Sequence, residues 1–97
     1  MHIITKLRIR EASLKYPNAK PSLFGWYRLI RRGTFNTFQD LTNTFGANNI
    51  DRVGKYYIFD IAGNHLRLIA AIHFNTQKVY IRYILTHADY DKLDLRS

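Results

Sequence analysis

The sequence predicts an α+β domain in which N-terminal helices pack on one face of a small, mostly antiparallel sheet. Three observations carry that expectation. Apolar residues recur at three- and four-residue spacing in the first third, at Leu23, Trp26, Tyr27 and Ile30. From Ile50 onward the period changes to two. Turn-forming pairs then punctuate the second half at hairpin spacing, namely Gly54-Lys55, Gly63-Asn64 and Asn75-Thr76.

Taken in order, His2 to Ile4 reads as a short strand. Thr5 reads as the cap of a helix running to about Lys15, with Leu7, Ala12 and Leu14 as its apolar stripe and Pro17 beyond its end. Pro21 suits the first turn of a second helix, and Gly33 terminates it. Gly25 inside that helix costs about 1 kcal/mol relative to alanine. Its outer side carries Arg28, Arg31 and Arg32. Thr37 followed by Asp40 resembles a capping box and opens a short helix through Phe38 and Leu41, after which the polar stretch from Thr42 to Asn49 reads as a loop.

In the hairpins, Ile61 is expected opposite Leu66, Asp60 opposite Arg67, Arg82 opposite Ile69 and Tyr80 opposite Ala71. One face then collects Tyr57, Phe59, Ile61, Leu66, Leu68, Ala70, Ile72, Val79, Ile81, Tyr83 and Leu85, and this is the core face the helices cover. The other carries Tyr56, Ile58, Asp60, Arg67, Ile69, His73, Lys78, Tyr80 and Arg82. Both arginines stand there, one diagonal step apart.

Composition narrows the function classes. Residues 1–97 make one domain, 46% hydrophobic, with 15 Lys and Arg against seven Asp and Glu for a net charge of +8. That excess attracts nucleic acid, an acidic protein or an anionic membrane surface. With no cysteine, disulfides and thiolate metal sites are excluded. No signal peptide opens the chain and no apolar run reaches bilayer length, so the expected location is cytoplasmic, with no membrane partner. A metal site is not expected, because no HExxH or Cys/His ligand spacing occurs. Walker, Rossmann and serine-elbow patterns are absent as well.

The residues that could carry chemistry lie in the last third. Two guanidinium forks, Arg67 and Arg82, suit a phosphodiester and the charge that grows on it during attack. The plain alternative is that Arg67 pairs with Asp60 across the hairpin and Arg82 occupies a solvated face. His87 and Tyr90, three residues apart past the final strand, project from one side of a helical turn. Metal-free RNA cleavage needs a 2′-hydroxyl deprotonated, a phosphorane stabilised and a 5′-oxygen protonated, and arginine, histidine and tyrosine can divide those tasks. A C-terminal element packing its aromatic on the domain would present the same pair. Thr86, Asp89 and Asp91 suit capping and orientation. Lys55, Tyr56, His73 and Tyr80, with the Arg28, Arg31 and Arg32 cluster, are candidate RNA contacts through charge and base stacking; the helix arginines equally fit a solvated face.

The chain resembles the HigB-like toxins of the RelE/ParE superfamily over nearly its whole length. The resemblance rests on Met1-His2-Ile3-Ile4, Lys15-Tyr16-Pro17, Trp26-Tyr27, Thr37-Phe38-Gln39-Asp40-Leu41 and Asp51-Arg52-Val53. It continues through Phe59-Asp60-Ile61-Ala62-Gly63-Asn64, Leu66-Arg67-Leu68-Ile69, Val79-Tyr80-Ile81-Arg82 and Thr86-His87-Ala88-Asp89-Tyr90-Asp91. It implies a RelE-like fold and the toxin of a type II toxin–antitoxin system. The implied activity is that of an mRNA interferase: a ribosome-dependent endoribonuclease that inhibits translation, without a cofactor, by 2′-hydroxyl attack. A HigA-like helix-turn-helix antitoxin is the implied partner, with operator DNA bound only through the toxin–antitoxin complex. Arg67, Arg82, His87 and Tyr90 correspond to the family's cleft residues. The alternatives are a ParE-like gyrase-directed toxin, a non-catalytic RNA- or ribosome-binding module, and an inactive toxin retained as a partner of its antitoxin.

Overall fold

The chain runs β1 (His2–Ile3), α1 (Lys6–Lys15), a 3-10 turn (Pro17–Ala19), α2 (Lys20–Arg32), α3 (Phe38–Phe45), β2 (Ile50–Val53), β3 (Tyr56–Ile61), β4 (Leu66–His73), β5 (Lys78–Thr86) and α4 (His87–Asp91). This is the architecture of a computed structural model that describes residues 1–63 and 65–93. Asn64, expected in the β3–β4 turn, lies outside the described residues. The strands are ordered β1-β5-β4-β3-β2. All neighbours are antiparallel except β1, which runs parallel to β5. The fold is therefore α+β and RelE-like, with N-terminal helices against a mixed, mostly antiparallel sheet.

Period-two patterning produces the core. Tyr57, Phe59, Ile61, Leu66, Leu68, Ala70, Ile72, Val79 and Ile81 are all buried on the helix-covered face. From α2, Leu23, Trp26 and Ile30 close over them, with Trp26 edge-on to Phe59 at 5.3 Å between ring centroids. Pro21 sits in the first turn of α2 and Gly33 ends it. Gly33 has an extended backbone there, and its smallness answers to Phe35, whose ring would overlap a Cβ at that position. The α-amino group of Met1 donates to Ile30 O (2.9 Å) and Gly33 O (2.6 Å), satisfying carbonyls at this helix end, and burial lowers its pKa.

The apolar stripe expected of α1 is not the one that packs: Leu7 and Leu14 are exposed, and Ile9, Ala12 and Ser13 are the buried residues. Three further local expectations need correction. Thr5 precedes α1 but its hydroxyl makes no cap; it accepts from the Ile81 amide at 2.6 Å. Because β1 is only two residues long, that hydroxyl takes the next β5 donor that β1 leaves open. The Thr37–Asp40 capping box forms, but α3 does not stop near Leu41. It continues to Phe45, whose ring meets Phe59 edge-on at 5.2 Å, so aromatic packing outweighs the polar composition of the Thr42–Asn49 stretch.

The third correction concerns β5. The β3–β4 register is as expected, with Asp60 opposite Arg67 and Ile61 opposite Leu66. Tyr80 also stands opposite Ala71. Beyond that pair the ladder shifts: Ala70 faces Ile81 while Ile69 faces Tyr83, leaving Arg82 as an extra residue in a β-bulge. The side-chain alternation reverses past the bulge. Ile84, opposite Leu68, packs on the core, whereas Tyr83 and Leu85 move to the other face, opposite Ile69 and Arg67.

Candidate functional site

The face of the sheet away from α1 and α2 is less open than its alternation suggests. Ile58 and Ile69 pair across β3 and β4 and are 2% and 0% exposed, and Ala71 is buried beside them. Next in the row, where β3 and β4 approach their shared turn, stand Asp60 and Arg67. A guanidinium here sits at the edge of an apolar patch and has to be paired. Arg67 is 9% exposed, and three neighbours surround it.

Asp60 Oδ1 lies 3.2 Å from Arg67 Nη1, an ion pair off the hydrogen-bond axis, since Nη1 has no aligned acceptor. His87 Nδ1 lies 3.0 Å from Arg67 Nη2. The Tyr90 ring stacks over the guanidinium, 6.0 Å from its centroid. The last two partners come from α4, a single helical turn that Thr86 starts by accepting the Asp89 amide at 3.2 Å. That cap puts positions 87 and 90 on one side, above β4.

Arginine has only donors, so the bond to Arg67 requires Nδ1 of His87 to be its unprotonated nitrogen. The other nitrogen, Nε2, faces Asp91 Oδ2 at 3.6 Å, and both of these side chains are more than half exposed. A carboxylate–guanidinium–imidazole–carboxylate chain results, from Asp60 through Arg67 and His87 to Asp91. Its buried end fixes Arg67 and its exposed end presents the imidazole. Such a unit can accept a proton at one imidazole nitrogen while holding a cation within reach of the same substrate atom.

Arg67, His87 and Tyr90 are thus brought together. Arg82 is not part of that contact set: it is exposed at the bulge and, among the described residues, forms no ion pair or side-chain hydrogen bond. Farther along the same face, Tyr56, Ala71 and Tyr80 form one row across three strands. Lys55 Nζ lies 5.4 Å from the Tyr56 ring centroid, and His73 meets Tyr80 edge-on at 5.3 Å. Arg28, Arg31 and Arg32 are exposed on α2, on the opposite side of the sheet. One surface cannot use them together with Arg67.

Two cavities adjoin these elements. One of about 360 Å³ opens beside Arg67 and Tyr90 toward β2, and includes Asn48 and Asp51, neither of which sequence reasoning singled out as a site residue. The other, of about 410 Å³ and mostly apolar, lies between the end of α1 and the β3–β4 turn. None of the expected site residues lines it, so the first is the one that adjoins the candidate site.

The family described as HigB_toxin, the RelE-like toxic component of a toxin–antitoxin system, matches residues 19–93. The chain belongs to the HigB toxin family. The mRNA interferase HigB of Escherichia coli O6:H1 is 38% identical over 94 residues, covering 96% of this chain and 91% of that protein. The mRNA interferase toxin HigB of Escherichia coli K12 is 37% identical over 92 residues, covering 94% and 88%. The mRNA interferase HigB of Shigella flexneri matches to the same extent, at 37% identity over 92 residues. As a HigB family member the protein is the toxin side of a toxin–antitoxin pair and has an antitoxin as partner. Among the described residues, no helix is long and apolar enough to cross a membrane.

Proposed function

We propose that the protein is a ribosome-dependent mRNA endoribonuclease that acts in the cytoplasm, where translation takes place, and shuts it down. The single observation that carries this reading is the Arg67–His87 bond: the proton-accepting nitrogen of an exposed imidazole rests on a cation suited to a phosphodiester. The curated relatives, named as mRNA interferases, support the same reading.

An arriving phosphate oxygen competes for the donor that Arg67 Nη2 gives to His87. As the guanidinium turns to the phosphate, Nδ1 is freed to take the 2′-hydroxyl proton. The 2′-oxygen bonds to phosphorus, the bond from phosphorus to the 5′-oxygen breaks, and that oxygen receives a proton from the Tyr90 phenol. His87 then returns its proton to Tyr90, Asp91 having steadied the imidazolium meanwhile. The products are a 2′,3′-cyclic phosphate and a 5′-hydroxyl, and no net proton is consumed. Arg67 offsets the charge of the phosphorane, and the exposed Arg82 draws in the backbone. Tyr56 and Tyr80 offer rings to neighbouring bases, with Lys55 and His73 at their sides.

The ribosome supplies orientation that so small a surface lacks. A HigA-like antitoxin holds the toxin inactive, and the pair contacts operator DNA through the antitoxin. The test is cleavage of an end-labelled message by purified protein, with and without a programmed ribosome. Cleavage on the ribosome leaving cyclic phosphate ends is expected. No cleavage across a panel of codons, with folded protein, would contradict the reading and favour a gyrase-directed toxin or a non-catalytic binder.

A further inference from the structure

The cavity on the β2 side of Arg67 is large enough to hold a nucleobase. Its volume of about 360 Å³ falls in the range of small-ligand sites, roughly 300–1,000 Å³. Ile58, 2% exposed, contributes an apolar floor, and Tyr90 contributes an aromatic wall. Polar groups at the rim come from Asn48, Asp51 and Asp60. Arg67, which also lines the cavity, is paired with Asp60, so Asp51 is the carboxylate left to draw a ring bearing N–H groups.

The two carboxylates are not equivalent. Asp60 is committed to Arg67 at 3.2 Å. Asp51 is exposed on the edge strand, and its Oδ1 accepts the Arg52 amide at 2.8 Å. Its Oδ2 keeps its acceptor capacity for a ligand. A carboxylate can only accept hydrogen bonds, so it pairs with the exocyclic amino group of adenine, cytosine or guanine. Uracil has no amino group, and its edge presents oxygens on either side of a single N–H.

We infer that Asp51 is a specificity residue that selects an amino-bearing base over uracil at the nucleotide flanking the scissile bond. The inference rests on the ribonuclease reading and deepens it. Since Arg67 lines this cavity and also holds His87, the base bound here belongs to a nucleotide adjoining the phosphate under attack.

The test is cleavage on a programmed ribosome of messages that differ only in one base beside the cut, each flanking position being varied in turn. Wild-type protein is expected to cleave the uracil form on the order of tenfold more slowly than the other three, the scale of one good side-chain–base contact. Asp51→Asn keeps the acceptor used by Arg52 and adds an amide donor that uracil O4 can take, so the ratio should fall toward one. Asn48→Asp, at an exposed position, should widen it. An unchanged base profile in both folded variants, with cleavage intact, overturns the inference alone. Wild-type protein that cleaves none of the messages overturns the ribonuclease reading and this inference together.

Discussion

The two faces of the sheet are buried to different extents and for opposite purposes. On the helix side, Phe59, Leu68 and Ile81 are sealed under Trp26, Leu23 and Ile30, and every buried strand residue is apolar. On the other side Ile58, Ile69 and Ala71 are buried as well, but the next residue in line is Arg67, held by Asp60, His87 and Tyr90. One face stabilises by removing hydrocarbon from water. The other spends part of that stabilisation to fix a cation under an exposed imidazole. Substitutions on the first face should therefore act through stability, and those on the second through chemistry.

The largest stability effect is expected at Phe59, which touches both Trp26 and Phe45. Phe59→Ala should cost about 3–5 kcal/mol, read by chemical denaturation, with cleavage falling only as the folded fraction falls. Arg67→Ala comes next. Leaving Asp60 and His87 without their partner should cost about 1–3 kcal/mol, and cleavage should drop by far more than that loss of folded protein explains. Arg67→Lys keeps the charge without the fork and should recover stability better than it recovers cleavage. His87→Ala should separate the faces most cleanly. The side chain is more than half exposed, but its loss takes the acceptor from Arg67 Nη2 while the Asp60 pair remains, so stability should fall by only about 1 kcal/mol, while single-turnover cleavage falls on the order of 10²–10⁴-fold. The smallest effect is expected at the bulge: Arg82→Ala should leave the melting temperature nearly unchanged, weaken RNA binding evenly across sequences, and lower the salt slope by about one.

What could be read from the chain follows the range of the interactions. The α2 stripe, the Thr37–Asp40 capping box and the Asp60–Arg67 pairing are set by residues a few positions or one tight turn apart, and each forms as expected. The bulge at Arg82 was hidden because Tyr83, Ile84 and Leu85 are all apolar, so either alternation satisfies a hydrophobic pattern. Thr5 found its partner, Ile81, from 76 positions away, and α3 was lengthened by a ring contact with β3. In the site, the residue types and the helical turn carrying His87 and Tyr90 were legible. The Arg67–His87 bond, which settles which imidazole nitrogen is free of a proton, depends on how α4 folds back over β4, and no local signal specifies that. Asp51, which figured only within the Asp51-Arg52-Val53 match, and Asn48 were not expected to line a cavity, because nothing in their own segment marks an edge strand and its preceding loop as a cavity wall.

Arg67 and His87 are expected to work as one unit, and a double-mutant cycle reads that coupling. Single-turnover cleavage on a programmed ribosome would be compared for wild type, Arg67→Ala, His87→Ala and the double variant, each verified as folded. Strong non-additivity is expected, with the double variant hardly slower than the slower single one. Independent losses that multiply in the double variant would contradict it.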